Sequence, residues 1–283
     1  MTKTITRNLF FIALVSLLMS SCSTSFYQVY KTQPDENLES TKKGLVYEDE
    51  NCKIAYNLWA AEGDIGFLIY NKTDENIYLD LTESFFVVND MAQDYYKNRV
   101  YANSKSVARS VSTETSASKS VTGFNMFGLL QNNQIQASTN VGTSGASGTT
   151  VSIKEAIVVT IPPKTAKVID EYTINSTLYR DCDLYRYPRK NQIQTVTFNK
   201  EDSPIVFSNR IAYSKGADEA LTRIENEFYV NAITNYPKKE MIESKRDEFC
   251  GEKDRHSSDY FKDVAPNKFY VPYKKSSTKT LKH

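Results

Sequence analysis

The chain has 283 residues and carries 35 Lys and Arg against 34 Asp and Glu, so its formal net charge is +1. A body this close to neutral has no excess of cations to neutralise phosphates, which argues against nucleic acid and against anionic-lipid surfaces as partners of the body. The sequence holds only two histidines, His256 and His283. Histidine-based catalytic triads and multi-histidine zinc sites are therefore nearly excluded.

The N-terminus carries an export pattern in residues 1–21. An apolar run from Leu9 to Met19 follows Lys3 and Arg7 and ends at Ser20, Ser21 and Cys22. This run is too short to span a bilayer, which requires ~20 apolar helical residues. The pattern resembles a bacterial lipoprotein signal peptide with its lipobox. The resemblance implies cleavage before Cys22, a thioether link from its thiol to diacylglycerol, and acylation of its amine by a fatty acid such as palmitate.

Residues 22–45 are predicted to be a tether with at most one strand in it. Only Phe26–Tyr30 could bury a face, and the rest is rich in polar residues, with Pro34, Asp35 and Gly44 among them. A flexible chain of about twenty residues reaches roughly 25 Å on average. The sequence therefore predicts a folded domain held a short distance from its membrane.

Residues 46–213 are predicted to form a β-sandwich. Apolar residues alternate with polar ones through three successive runs that are separated by turn-forming residues, and the runs centre on Ile54–Leu58, Ile65–Ile69 and Ile77–Leu81. This alternation is typical of an antiparallel sheet with one buried face. Four more strands are predicted, at Ala156–Ile161, Ala166–Tyr172, Gln192–Phe198 and Pro204–Tyr213. The expected fold class is mainly β, an immunoglobulin-like or related antiparallel β-sandwich.

A Ser/Thr/Gly-rich segment, residues 103–150, interrupts the sandwich. It contains ten Ser, seven Thr, five Gly and five Asn. Such a composition buries too little apolar surface to offset the entropy of ordering, so we predict a flexible insertion. An alternative reading is an amphipathic β-hairpin, because six serines from Ser106 to Ser120 fall on one parity. Against the hairpin, the opposite parity holds Arg109 and Lys119, which lipid would penalise.

Residues 214–283 are predicted to be a small α+β extension with a basic tail. Ala217–Asn226 has helical spacing, Phe228–Ile233 is strand-like, and Lys238–Phe249 is predicted to be a helix that begins after Pro237. Four lysines, at positions 274, 275, 279 and 282, gather near the C-terminus. We interpret them as a solvated end, although such a tail can attract anionic lipid.

Three cysteines remain once Cys22 is lipidated, and an odd number cannot all pair. An oxidising compartment permits a disulfide, for which we favour Cys182 with Cys250 because both lie in polar, turn-like surroundings. Cys52 begins a strand-like run and is expected to pack as a small apolar residue. The other pairs, and no pair at all, stay open.

A recognisable reaction centre is missing from the sequence. Asp254, His256, Ser257 and Asp259 lie close together, but neighbours on one loop rarely converge on a substrate, so we interpret them as a solvated turn. Neither a nucleophile elbow nor a phosphate-binding loop is present. We therefore expect no enzyme activity, no cofactor and no bound metal.

A cluster of aromatic and basic residues is a candidate recognition surface: Tyr179, Tyr185, Arg186 and Tyr187. Tyr and Arg are enriched in binding hot spots. The alternative is that these tyrosines fill half-exposed strand positions, where tyrosine is favoured.

The body resembles uncharacterised lipoproteins of Bacteroidota-type bacteria. The resemblance rests on the lipobox, on Asp64–Asp90, on the Ser/Thr/Gly insertion, on Ile161–Lys164 and on Asn226–Pro237. The resemblance implies a fold class and an envelope location, and no biochemical function. Our first hypothesis is a lipid-tethered, non-catalytic binding or structural protein of the cell envelope, with an envelope protein of unknown identity as its expected partner. The alternatives are a membrane-active protein that uses residues 103–150 as a hairpin, and an enzyme of unrecognised type.

The residues after Cys22 favour the outer membrane, with the domain facing the periplasm. Surface-exported lipoproteins of this group resemble one another in carrying acidic residues just after the lipidated cysteine, whereas here the first acid is Asp35. Ser23 also differs from the aspartate that retains other lipoproteins in the inner membrane. Surface display stays open as the alternative.

Overall fold

The computed structural model describes residues 25–103, 109–110, 116–117, 137–138, 142–143, 151–216 and 219–275. The lipobox and Cys22 lie outside these residues. Within them, the regular secondary structure is almost entirely strand, with an α-helical turn α1 (Lys238–Met241) and a 3-10 turn at Lys190–Gln192. The strands are β1 (Ser25–Pro34), β2 (Glu39–Ser40), β3 (Leu45–Glu48), β4 (Cys52–Tyr56), β5 (Phe67–Asn71), β6 (Ile77–Val88), β7 (Met91–Asp94), β8 (Val100–Asn103), β9 (Arg109–Ser110), β10 (Ser116–Ala117), β11 (Ala137–Ser138), β12 (Gly142–Thr143), β13 (Val151–Lys154), β14 (Val158–Ile161), β15 (Ala166–Ile169), β16 (Thr195–Thr197), β17 (Val206–Ser214), β18 (Thr222–Pro237), β19 (Ile242–Lys245), β20 (Glu248–Phe249), β21 (Glu252–Lys253), β22 (Ser258–Phe261) and β23 (Lys268–Lys274).

Two antiparallel sheets enclose the main core. The larger has eight strands in the order β14-β6-β17-β18-β1-β23, with β16 paired to β18 and β7 paired to β6, and it curls into a half-barrel. The smaller has five strands in the order β15-β5-β4-β3-β2. Fully buried side chains from both sheets meet between them, among them Tyr56 and Phe67 from the smaller sheet and Phe86, Phe207 and Phe228 from the larger. The predicted mainly β, antiparallel fold is confirmed.

The seven predicted strands are present as β4, β5, β6, β14, β15, β16 and β17. Each is shorter than or shifted from its predicted range except β6, which continues to Val88. In β6 the alternation of buried and exposed positions is interrupted near Thr82–Ser84, where the pairing with β17 shifts register between Arg210 and Ala212. The hydroxyl of Ser84 accepts the Ala212 amide at 3.0 Å. A polar side chain thus satisfies the backbone group that the irregularity leaves without a ladder partner.

The predicted tether is wrong for residues 25–34. These residues form β1, an interior strand that pairs with β18 on one side and β23 on the other. Its partners are more than 190 residues away along the chain, so local sequence could not reveal them. Residues 39–48 of the same segment supply β2 and β3 of the smaller sheet.

The predicted C-terminal α+β extension is also wrong. Ala217–Asn226 is not a helix where it is described, because Thr222–Pro237 is one long strand, β18, at the middle of the larger sheet. Its buried positions alternate as Ile224, Asn226, Phe228 and Val230, and the polar Asn226 hides the period in the sequence. The predicted helix Lys238–Phe249 is reduced to α1, and β19 and β20 follow it. Residues 214–275 therefore belong to the same folded unit as the β-sandwich.

The Ser/Thr/Gly-rich insertion enters and leaves the sandwich through paired strands, β8 with β13. Two further described ladders, β9 with β12 and β10 with β11, are nested inside that pair in antiparallel order. The apolar residues between Phe124 and Leu130 lie outside the described residues. The predicted flexibility of this insertion stays a prediction.

Candidate functional site

The most distinctive surface of the described chain lies where β1 begins and where β18 and β23 end. Ser25 lies opposite Lys274, and Phe26 lies opposite both Pro237 and Tyr273. We call this region the Ser25 end and define it as residues 25–27, 185–190, 236–239 and 273–275. Three of these four segments meet because β1 lies between β18 and β23. The fourth, residues 185–190, belongs to the loop before β16.

Aromatic rings form the interior of the Ser25 end. The Phe26 ring lies 5.3 Å from that of Tyr187 and 5.5 Å from that of Tyr273, measured between centroids. The rings of Tyr187 and Tyr273 lie 6.2 Å apart. Phe26 is 4% exposed, while the two tyrosines are half-buried. The three rings hold the loop before β16 against the first residues of β1.

A buried amide fixes that loop to the sheet. Gln28 is 1% exposed, and its Nε2 donates to the carbonyl of Tyr179 and to Oδ1 of Asn235, both at 2.9 Å. Its Oε1 accepts the Tyr179 amide at 2.7 Å. The Asn235 amide in turn donates to the carbonyl of Tyr185 at 3.0 Å. Because every polar atom of the Gln28 side chain is bonded, its burial costs little, and the loop keeps one position.

Two tyrosine hydroxyls add to this attachment. Burial raises the pKa of Tyr30 to about 12, and its hydroxyl donates to the carbonyl of Thr177 at 2.9 Å. Burial also raises the pKa of Tyr273, whose hydroxyl donates to the carbonyl of Arg186 at 2.5 Å. Both phenols are therefore neutral donors at physiological pH, and they position the backbone of the loop.

Positive charge covers the outside of the Ser25 end. Its four segments hold seven basic residues and no acidic residue: Arg186, Arg189, Lys190, Lys238, Lys239, Lys274 and Lys275. Glu240 pairs with Lys190 at 3.7 Å, and Asp259 pairs with Lys238 at 3.0 Å. Within the described part of the chain, the other five cations form no ion pair. The surface therefore has a local excess of positive charge that the near-neutral net charge of the chain conceals.

Tyr187 supports two of these cations. The Arg186 guanidinium carbon lies 5.3 Å from the centre of the Tyr187 ring, and the Lys275 Nζ lies 5.8 Å from it. Both distances fall within the range of a cation–π contact. Arg186 Nε and the Tyr187 hydroxyl are buried, and neither has a hydrogen-bond partner among the described residues. Arg186 also borders a cavity of about 20 Å³, which is large enough for one water molecule.

The four residues of the predicted recognition surface lie on one loop packed against β1, but they have different roles. Tyr179 is half-buried, packs on Phe198 at 5.5 Å and takes part in the attachment through Gln28. Arg186 and Tyr187 are half-buried in the aromatic and cationic cluster. Tyr185 is 51% exposed, so it is the member of the four with the most accessible ring.

The favoured disulfide is not formed. Cys182 and Cys250 are both free thiols whose side chains are exposed. Cys250 lies in the tight turn between β20 and β21, with φ of 52°, and Cys182 lies in the loop that packs on β1. Cys52 is fully buried, as expected for a small apolar residue. Burial and the nearby Asp49 carboxylate both raise the pKa of its thiol.

The other polar groups considered from the sequence do not converge. Asp254, His256 and Ser257 are exposed, and Asp259 is used in the ion pair with Lys238. Over the described ranges, no group of three or more His, Cys, Asp or Glu residues is placed to hold a metal ion. In the same part of the chain, no helix has the length and apolarity that crossing a bilayer requires.

Comparison with known proteins adds no relative: the chain matches no protein-family model, no curated protein and no solved structure. The class of site therefore rests on geometry alone, and it is a basic and aromatic surface at one end of an antiparallel β fold.

Sequence reasoning misses half of this surface. Local pattern places Phe26 in the tether, does not single out Lys239 or Tyr273, and assigns Lys274 and Lys275 to a solvated tail. The signal that could have found them is the alternation at each end of the chain, Phe26–Tyr30 and Phe269–Tyr273. Two such runs at opposite termini are what a pair of neighbouring strands requires.

Proposed function

We propose that this protein is a lipid-anchored, non-catalytic protein of the cell envelope with a binding or structural role. The observation that carries the proposal is the lipobox that ends at Cys22, followed by a folded domain whose first described strand begins at Ser25. The anchor partner is a membrane, and the domain binds a further envelope protein. Export, lipidation and a β domain together suit a protein that is held at one surface to make contacts there.

Metabolic labelling tests the lipidation of Cys22. Cells grown with a clickable palmitate analogue should label the wild-type chain, because its amine and its thioether-linked glycerol both carry acyl groups. The Cys22→Ala variant should not be labelled, and its unprocessed precursor should accumulate. A Cys52→Ala variant is the matched control, since that thiol is buried and should not affect labelling. Equal labelling of wild type and Cys22→Ala would contradict the proposal.

We further propose that the anchor lies in the outer membrane and that the domain faces the periplasm. Support comes from Ser23 at the position after the lipidated cysteine and from the lack of an acidic residue before Asp35. Proteinase added to intact cells should leave the domain whole and should degrade it after the outer membrane is permeabilised. Degradation in intact cells would instead indicate surface display.

A second candidate function is a membrane-active hairpin in residues 103–150. The observation that favours it is the nesting of three described ladders inside this segment, β8 with β13, β9 with β12 and β10 with β11. Dye release from vesicles tests the idea. Under this alternative, wild type releases dye and a Phe127→Asp variant does not, while Asn132→Asp serves as a control of equal charge. Absence of release by the wild-type chain would exclude it.

A further inference from the structure

We propose that the Ser25 end lies directly on the bilayer that holds the anchor, where its unpaired cations bind the phosphate groups of anionic phospholipids. The inference rests on the proposed lipidation of Cys22. It adds an orientation and a ligand class to that proposal: the domain does not hang freely but faces the membrane with one defined surface.

The first argument for this orientation is the short length of chain between the anchor and the fold. Three Cα-to-Cα steps separate Cys22 from Ser25. A fully extended chain covers at most ~3.3–3.6 Å per residue, so Ser25 can lie no more than about 11 Å from Cys22. Charges interact across a Debye length of about 8 Å at physiological ionic strength. Even at this maximum, Ser25 lies little more than one Debye length from Cys22, so the charge of the headgroups still acts on the Ser25 end, whereas most of that interaction would be screened across a twenty-residue tether with a mean reach of roughly 25 Å.

The second argument for this orientation is the distribution of charged residues over the domain. Five cations of the Ser25 end have no ion-pair partner among the described residues: Arg186, Arg189, Lys239, Lys274 and Lys275. At the other end of β1, residues 34–40 hold three acids, Asp35, Glu36 and Glu39, and no base. The domain therefore presents its cations towards an anionic surface and keeps these acids away from it.

The aromatic residues of the same surface suit a headgroup region. Tyr185 is 51% exposed, and Tyr187 and Tyr273 are half-buried with cations beside them. Tyrosine is enriched at membrane–water interfaces because its ring is apolar and its hydroxyl is polar. Tyr185 has the accessible ring that contact with the headgroup region needs, while the ring of Tyr187 lies beside Arg186 and Lys275 and supports both cations.

Vesicle flotation with the mature chain tests the proposal. The chain carries Cys22→Ser, so that the acyl groups do not mask binding by the domain itself. It is mixed with vesicles of phosphatidylcholine alone or with about 30% phosphatidylglycerol. Each Lys or Arg near an anionic surface strengthens binding about fivefold. We expect at least tenfold stronger binding to the phosphatidylglycerol vesicles, and we expect added salt to weaken it.

Paired charge reversals locate the binding surface. Lys274→Glu with Lys275→Glu should reduce binding to anionic vesicles at least tenfold. Lys42→Glu with Lys167→Glu changes the net charge by the same amount at exposed positions outside the Ser25 end and should leave binding within about twofold. Near-ultraviolet circular dichroism checks that each variant is folded. Should the first variant unfold, Lys239→Glu on α1 replaces it.

Two outcomes overturn the inference: wild type that does not distinguish anionic from neutral vesicles, or a control variant that loses as much binding as the Lys274/Lys275 variant. Because the assay uses a chain without a lipid, its result is independent of the palmitate labelling. Labelled Cys22 without lipid-dependent binding would therefore contradict the orientation alone, and unlabelled Cys22 would contradict the anchor.

Discussion

Buried amide side chains interrupt the apolar pattern of core strands in the sequence. Asn226 lies in the core with its Nδ2 donating to the Tyr56 hydroxyl at 2.7 Å. Asn209 accepts the Tyr95 hydroxyl at 2.7 Å and donates to the carbonyl of Ile65 at 3.0 Å. Each amide bonds between the two sheets or to a connecting loop, so it sets their relative position. A polar residue at such a site makes a core strand look like a surface strand in the sequence.

Gly63 is a residue at which we expect a large effect from one added methyl group. Its φ is +77°, and a Cβ would lie 2.8 Å from Ile174 Cδ1 and 2.9 Å from Phe269 Cγ. Backbone strain and overpacking both oppose a side chain there. Gly63→Ala should lower the free energy of unfolding by about 2–4 kcal/mol, measured by urea denaturation of the mature chain.

Gly251→Ala is the matched control. Its φ is +84°, but no atom lies within 4 Å of the position that a Cβ would take, so only backbone strain opposes the substitution. A loss of about 1 kcal/mol is expected. Equal losses of unfolding free energy at the two positions would show that overpacking against Ile174 and Phe269 does not contribute to the effect of Gly63→Ala.

Glu155 should make the base of the 103–150 insertion sensitive to acid. Burial would raise the pKa of its carboxyl, but hydrogen bonds from the Arg99 side chain and from the amides of Arg99 and Lys97 outweigh this and hold that pKa below its usual range. A carboxyl group whose pKa is lower in the folded state than in the unfolded chain stabilises the protein at pH values above the unfolded-state pKa. That stability is lost as the pH falls through the folded-state pKa.

Glu155→Gln tests this dependence. At neutral pH the variant should be about 1–3 kcal/mol less stable in urea, because Arg99 loses a charged partner. The difference should shrink as the pH falls through the folded-state pKa of Glu155, because the wild-type carboxyl then becomes protonated as well. Glu83→Gln, in an exposed pair with Arg223, is the control and should lower the stability by less than about 1 kcal/mol at neutral pH. A Glu155 effect that is independent of pH would contradict the assignment.

At the scale of elements, β1 is the strand on which the most distant parts of the chain converge. It pairs with β18 and β23 along its length, and the loop before β16 covers one face. On the other face, Val29 packs with Trp59, Met241, Ile242 and Phe261 in a separate apolar cluster. A strand covered on both faces and both edges cannot act as a tether, so a lipid on Cys22 would lie close to the fold.

Gln28→Ala should release the loop from β1. The substitution removes the hydrogen bonds to Tyr179 and Asn235 and leaves buried groups unsatisfied, at a cost of about 2–4 kcal/mol. Trypsin should then cleave faster after Arg180. Gln33→Ala is the control on the same strand, since its side chain is exposed, and its effect should stay within about 0.5 kcal/mol. An unchanged cleavage rate for Gln28→Ala would mean that the aromatic contacts alone hold the loop.

At the scale of the whole molecule, the two ends of the described chain are neighbours. Ser25 pairs with Lys274, and long-range ladders join the parts before and after the 103–150 insertion: β6 pairs with β14 and β17, and β1 pairs with β18 and β23. Cutting the chain within the insertion would leave these ladders intact. The insertion is therefore separable from the stability of the sandwich.

Limited proteolysis tests that separability. The composition of residues 103–150 predicts the first cleavage there, and the two fragments should elute together from a gel-filtration column and separate only in denaturant. First cleavage within residues 51–90 would contradict the assignment of core and insertion. So would fragments that dissociate without denaturant.

Local sequence was enough to predict the β class, the position of the insertion and the strands β14 to β17. These depend on alternation and on turn-forming residues, which act over a few positions. The predicted lipobox at Cys22 likewise rests on a short linear pattern and requires no knowledge of the fold.

The secondary structure at the two ends of the described chain depends on pairing between strands that are far apart in the sequence. Ser25–Pro34 and Lys268–Lys274 become strands because each completes the other's hydrogen bonding across the whole length of the chain. Thr222–Pro237 becomes a central strand because two sheet neighbours bury its alternate side chains, Asn226 included. The basic surface follows from the same pairing, since it gathers cations from four segments that look ordinary when taken one at a time. Strand pairing is non-local, so local residue patterns cannot encode it.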